Sequence, residues 1–174
     1  MQLVRGSHNL RPAHRGCVAT IGNFDGVHLG HQAVFAALKT RAQAMGLPSL
    51  VITFEPQPLE VFRPTEAPAR LTRLREKLAT IADCGIDRVL LLEFGAQLAS
   101  QSADDFIQQV LVDGLDVRHL YVGDDFRFGK GRSGDFELLQ RAGAEHGFGV
   151  ESLHSVIHLE ERVSSTGIRQ ALAA

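Results

Sequence analysis

Short apolar, β-branched runs alternate with longer amphipathic stretches, and that alternation constrains the fold more than any other feature of the chain. Runs at Cys17–Gly22 (CVATIG), Ser49–Phe54 (SLVITF), Asp87–Phe94 (DRVLLLEF), His119–Gly123 (HLYVG) and Phe148–Val156 (FGVESLHSV) read as strands. The segment His31–Gly46 sets Val34, Phe35, Leu38 and Met45 at helical spacing and ends on a glycine suited to a C-cap. Leu71–Gly85 reads as a second helix, with Thr72 as its N-cap. Ser102–Leu115 and Ser133–Gly147 are further helices, and Ser164–Ala174 looks like a helix start. Pro56 and Pro58 stop the second strand, because proline donates no ladder hydrogen bond. The connections are too long for hairpins. The expected architecture is therefore α/β: right-handed βαβ crossovers, a mostly parallel sheet, and helices on both faces.

Composition narrows the class. A chain of 174 residues fits a single domain, 1–174, with room for a real core. The formal charge of −2 supplies no basic field for nucleic acid or an anionic membrane. Cys17 and Cys84 lie far apart and read as reduced thiols. The opening stretch is too polar for a signal peptide and no apolar run approaches membrane-spanning length, so a cytoplasmic location is expected.

In a parallel sheet, ligands collect outside the carboxyl ends of the strands. The three most unusual stretches, GNFDGVHLGH, FEPQP and GDDFRFGKG, each follow an expected strand and should meet on one rim. Gly22, Gly26 and Gly30 bracket His28 and His31 at the start of a helix, where free N–H groups and the positive dipole end favour phosphate. Imidazoles held there can donate to phosphate oxygens as neutral rings or as imidazolium. Alone, the pair reads first as structural histidines or a metal site, and without a nearby third ligand it is a poor zinc site. RVSSTGIR, from Arg162 to Arg169, offers hydroxyls, helix N–H groups and a guanidinium that suit pyrophosphate, although Ser-Ser-Thr is by itself ordinary N-capping. Phosphate devices at both ends of the chain suit nucleotidyl transfer.

GNFDGVHLGH and SSTGIR resemble the paired signatures of the HxGH nucleotidyltransferase superfamily, whose fold is Rossmann-like. FEPQP, LTRLREK and GDDFRFGKGRSGD narrow the resemblance to the adenylyltransferase module of the bacterial bifunctional riboflavin kinase/FAD synthetases. The resemblance runs from Gly16 to the C-terminus. It implies FMN + ATP → FAD + pyrophosphate by direct in-line attack, with Mg²⁺ accompanying ATP and no protein ligand for the metal assigned.

His28, His31 and Arg169 are then the catalytic candidates. Gly22, Asn23, Phe24, Gly30, Ser164, Ser165, Thr166 and Arg162 would bind ATP. Phe54, Pro56, Pro58, Phe62, Asp125, Phe126 and Phe128 would meet the flavin. Asp25 is a candidate for substrate or metal contact, or a turn cap. Tyr121 reads as core, and His119, His146, His154 and His158 as surface or loop residues. Two departures stand out: Gln57 where the family commonly has His, and carboxylates at both Asp124 and Asp125. The kinase module that normally shares the chain is missing, so FMN should be adenylylated and riboflavin left unphosphorylated. The alternatives are another HxGH transferase, of cytidylyl or pantetheine-phosphate adenylyl type, or a non-catalytic flavin or nucleotide carrier.

Overall fold

The computed structural model describes residues 1–123, 125–153, 168, 169 and 171. Six strands form one fully parallel sheet: β1 (Gln2–Arg5), β2 (Cys17–Ile21), β3 (Ser49–Glu55), β4 (Arg88–Glu93), β5 (Val117–Val122) and β6 (Gly149–Ser152), in the order β1-β4-β3-β2-β5-β6. Five of these runs are the expected strands with shifted ends: β2, β4 and β6 are shorter, β3 runs on to Glu55, and β5 begins earlier, at Val117. The sixth, β1, is an addition: four residues at the very start of the chain that pair with β4, Val4 opposite Leu90. The expected strand at Phe148–Val156 shortens to Gly149–Ser152 at the opposite edge, and its end from His154 lies outside the described residues.

Side-chain alternation on the central strands builds two apolar layers, since successive residues of a strand point to opposite faces. Val18, Val51 and Val89 face one layer with Phe35 and Leu38 of α1 (Leu29–Met45) and Ile81 of α3 (Leu74–Asp83). Ala19, Ile52 and Leu90 face the other, with Phe106 of α5 (Ala103–Phe106), Leu111 of the π-helical stretch Ile107–Gly114, and Leu139 of α6 (Phe136–His146). Two five-residue helices, α2 (Pro58–Phe62) and α4 (Ala96–Ser100), decorate the rim.

The helix ends follow local chemistry. Gly46 takes φ 64° and closes α1 as a left-handed cap. The N-cap of α3 is Arg73, not Thr72. Glu76 reaches back to accept from the Arg73 N–H at 2.9 Å, which frees the Thr72 hydroxyl for the neighbouring loop. In the π-helical stretch the Leu115 N–H reaches the Val110 carbonyl, five residues back.

From β2 the chain steps outward through β3 to β4, then returns to place β5 on the other side of β2. The reversal falls between β2 and β5, and doubly wound sheets bind ligands outside the carboxyl ends of the strands at such a point.

Candidate active site

The loop from Gly22 to His28 leaves β2 at this reversal. Its backbone enters the left-handed region three times, at Phe24 (φ 48°), Gly26 (φ 77°) and Val27 (φ 37°). Such conformations persist only where surrounding contacts over-determine them. The Phe24 ring is buried, meeting Phe35 at 5.0 Å and presenting an edge to His31 at 5.2 Å between centroids. Gly22 makes room for that ring, because a Cβ there would lie 3.0 Å from it. The Asn23 carbonyl accepts from Thr53 Oγ1 (3.2 Å) and Lys77 Nζ (3.1 Å). Gly26 N–H donates to Thr72 Oγ1 at 3.1 Å.

His28 is the N-cap of α1, and its Nδ1 accepts from the His31 N–H at 3.4 Å. An accepting Nδ1 is unprotonated, so the neutral ring carries its proton on Nε2 as a donor. The two imidazoles stack at 3.6 Å with planes 20° apart. Burial, and then the charge of His28, holds His31 down to about 3; burial also lowers His28, against the pull of Asp25. Both shifts favour the neutral imidazole over the imidazolium. His31 Nδ1 is buried, with no hydrogen-bond partner among the described residues.

Asp25, buried in the same loop, accepts from the N–H groups of Leu71 and Thr72 at 3.0–3.1 Å and from the Arg169 guanidinium. Burial alone would raise its pKa. The backbone donors and Arg169 outweigh that and hold it below the ordinary carboxylate value. Arg169 also donates through Nε to the Ala69 carbonyl at 2.7 Å. Asp25 is thus the capping residue for the 69–72 loop, and Arg169 stands beside the nucleotide loop through it. Ser164, Ser165, Thr166 and Arg162 lie outside the described residues, as do Asp124, His154 and His158.

After β3, Arg70 bridges Glu55 (2.8 Å) and both oxygens of Glu60 (2.5 and 2.6 Å), and Gln57 N–H is capped by Glu60 at 2.8 Å. A crevice of about 900 Å³ runs between the carboxyl ends of β1, β3 and β4 and α4, lined by Arg5, Asn9, Glu55, Pro56, Leu92 and Gln97 among others. Glu55 Oε2 lies at its edge, buried and without a hydrogen-bond partner among the described residues.

The seven flavin candidates separate by burial. Phe54 and Phe128 belong to the core. Phe62 and Phe54 both present edge contacts to Phe94, at 5.3 and 5.9 Å, and Phe62 is 59% exposed. Phe126 is half-buried and stacks on Phe128 at 5.5 Å. Asp125 is exposed, while Pro56 and Pro58 are half-buried at the rim.

Some of this was missed in the sequence. Lys77, Thr53 and Arg70 hold the rim but were not singled out. Lys77 had a signal: it falls between Leu74 and Ile81 at the spacing that faces the sheet. His119, expected on the surface or in a loop, is instead buried within β5, where its Nε2 meets Glu151 at 3.2 Å. A lone histidine carries no periodicity that would have placed it. Tyr121 is core, as expected.

Among the described residues, no group of three or more His, Cys, Asp or Glu side chains is placed to hold a metal ion. Nor is any described helix long and apolar enough to cross a membrane.

The comparisons agree with this geometry. The family model described as FAD synthetase matches residues 10–167. The bifunctional riboflavin kinase/FMN adenylyltransferase of Pseudomonas fluorescens is 60% identical over 174 residues, 100% of this chain and 56% of the relative. Its counterpart in Escherichia coli (strain K12) is 54% identical, over 99% of this chain and 56% of the relative. The chain thus spans little more than half the length of these curated relatives. A crystal structure described as a macrolide-efflux protein from Streptococcus pneumoniae aligns with TM-score 0.78 and 25% identity, over 98% of this chain and 56% of its own. A pantoate-beta-alanine ligase from Francisella tularensis shares the fold alone, with TM-score 0.51 and 12% identity over 87% of this chain and 66% of its own. With the family model spanning nearly all of it, from the β1–β2 connection to the Ser-Ser-Thr segment, this chain belongs to the FAD synthetase family.

Proposed function

We propose that this chain transfers AMP from ATP to FMN, giving FAD and pyrophosphate, as a step of FAD biosynthesis. An FMN phosphate oxygen attacks the α-phosphorus of ATP, the bond from that phosphorus to the bridging oxygen breaks, and pyrophosphate leaves with the electron pair. No bond to the enzyme forms, so rate enhancement rests on alignment and on charge stabilisation.

The observation that carries this reading is the stacked His28–His31 pair at the start of α1, on the loop where the strand order reverses. His28 Nε2–H donates to phosphate oxygens, and the first turn of α1 adds backbone donors and its dipole. Neutral donors suit a step in which charge moves onto the departing group, because they lose no proton as it moves. Gly22, Asn23, Phe24 and Gly30 shape the ATP loop, and Ser164, Ser165, Thr166, Arg162 and Arg169 serve the outer phosphates. FMN lies over the neighbouring crevice, where Pro56 lines the wall, with Phe62 and Phe126 as the accessible aromatic faces. Mg²⁺ arrives with ATP as part of the substrate. The site is that of a cytoplasmic enzyme acting on small molecules, and its FMN comes from the riboflavin kinase reaction that the relatives' names couple to it.

Incubation with FMN, ATP and Mg²⁺, with chromatography of the flavins and a pyrophosphate assay, tests the reading. FAD and pyrophosphate should appear in equal amounts. Bound FMN without FAD would leave a carrier, and turnover only with CTP or a pantetheine phosphate would move the chain to another branch.

A further inference from the structure

We infer that Lys77 is a positioning residue for the nucleotide loop: its buried ammonium fixes the Asn23 carbonyl, and with it the left-handed turn at Phe24, beneath the phosphate-binding rim. The inference rests on the adenylyl-transfer reading of that rim.

Lysine is almost never fully buried unless paired with an acid. Lys77 is 2% exposed, yet among the described residues it has no ion-pair partner. Its Nζ donates instead to two neutral acceptors, the Asn23 carbonyl at 3.1 Å and Thr53 Oγ1 at 3.3 Å. Burial lowers its pKa, with Glu55, Asp25 and Glu60 drawing the charge back and Arg70 opposing it. An unpaired ammonium is costly to bury, and a methionine would fill the same space under β3 more cheaply if packing were the whole requirement.

Two consequences of the charge fall on the site. Asn23 O receives donors from both Lys77 and Thr53, so the peptide joining Asn23 to Phe24 is held from α3 and β3 together. That peptide precedes the first left-handed residue of the loop, Phe24, whose ring supports His31. The same ammonium lies close enough to His31 to disfavour its protonation, which helps to keep the pair in the neutral state. A substrate polyphosphate above the loop also meets a fixed positive charge from below.

The test is Lys77→Met in the 174-residue chain, read by hydrogen exchange of the 24–28 amides, by denaturant unfolding and by steady-state kinetics. Exchange of those amides should rise by ~10-fold or more as the loop loses its anchor. kcat should fall by roughly 10–100-fold, the scale of disturbing one preorganised electrostatic element, with KM for FMN little changed. Lys77→Gln keeps a donor without the charge. It should hold the loop amides close to the parent while still lowering kcat, and it remains informative if the methionine variant does not fold. Folded variants whose loop exchange and kcat both stay within about twofold of the parent would overturn the assignment. If the parent makes no FAD while loop exchange still responds to Lys77, the adenylyl-transfer reading fails and the positioning role stands.

Discussion

Two loops flank the reversal point, and they are built in opposite ways. The one after β2 is pinned by backbone and side-chain hydrogen bonds to β3, α3 and the 69–72 loop, and it holds three left-handed residues and the buried Asp25 carboxylate. The one after β5 closes mainly on itself. Phe128 forms an isolated antiparallel bridge to Gly134, Phe126 stacks on Phe128, and Asp125 and Arg127 are exposed. The first spends local strain to hold donors in fixed directions, as charge stabilisation demands. The second packs Phe128 against Phe106 and leaves the half-buried Phe126 stacked on it.

That contrast can be broken most directly at the histidines. His28→Ala and His31→Ala should each lower kcat by ~10²–10³-fold in steady-state assays, the loss expected for one preorganised donor. Circular dichroism should stay native, and near-parent rates in both would remove the loop from the chemistry. His31→Gln sharpens the point through pH. With the native ring held to about 3 and the unfolded ring near its ordinary value of about 6.5, the unfolded chain binds the extra proton between these values. Parent stability should therefore fall as pH drops below about 6.5, and His31→Gln should lack that part of the slope in denaturant titrations.

Next in size is the clamp. Asp25→Asn should destabilise the chain by about 1.5–3 kcal/mol at pH 7, the range for hydrogen bonds to a charged group. Because the Asp25 pKa is depressed, its contribution is present above the ordinary carboxylate range, and the gap to the variant should close as pH falls through that lowered value. Arg169→Ala should raise KM for ATP more than KM for FMN. Its effect and that of Asp25→Asn should be non-additive in a double-mutant cycle, because the two side chains meet. Smallest is the second loop. Phe126→Ala should raise KM for FMN by no more than ~10-fold, the scale of one aromatic contact, and leave kcat nearly unchanged. A large kcat loss there would erase the distinction between the loops.

Much of this arrangement was legible in the residues. β2 to β5 announced themselves as apolar runs bounded by glycine or proline, whereas the histidines, Gly22 and Arg169 stood out through the family resemblance, because each alone reads as ordinary packing or capping. β1 was not legible, because Leu3 and Val4 are too short a run to signal an edge strand. Nor was the π-helical register, since an apolar pattern does not separate i+4 from i+5. The ring of supporting groups was hidden for a different reason. Thr53 and Arg70 act through contacts with other segments and look unremarkable locally, and only the sheet-facing position of Lys77 left a trace in the residues.

The link between Asp25 and Arg169 joins residues 144 apart in sequence. During synthesis the strands and their core are complete, in order, well before Arg169 leaves the ribosome. The nucleotide loop's carboxylate can therefore take its Leu71 and Thr72 donors early, and its guanidinium partner comes only much later in the chain. Contacts of such long range carry the largest loop-closure cost and form late. The nascent domain acquires its architecture first and the completed site last, so a chain interrupted before that arginine would fold into the right shape without a finished centre.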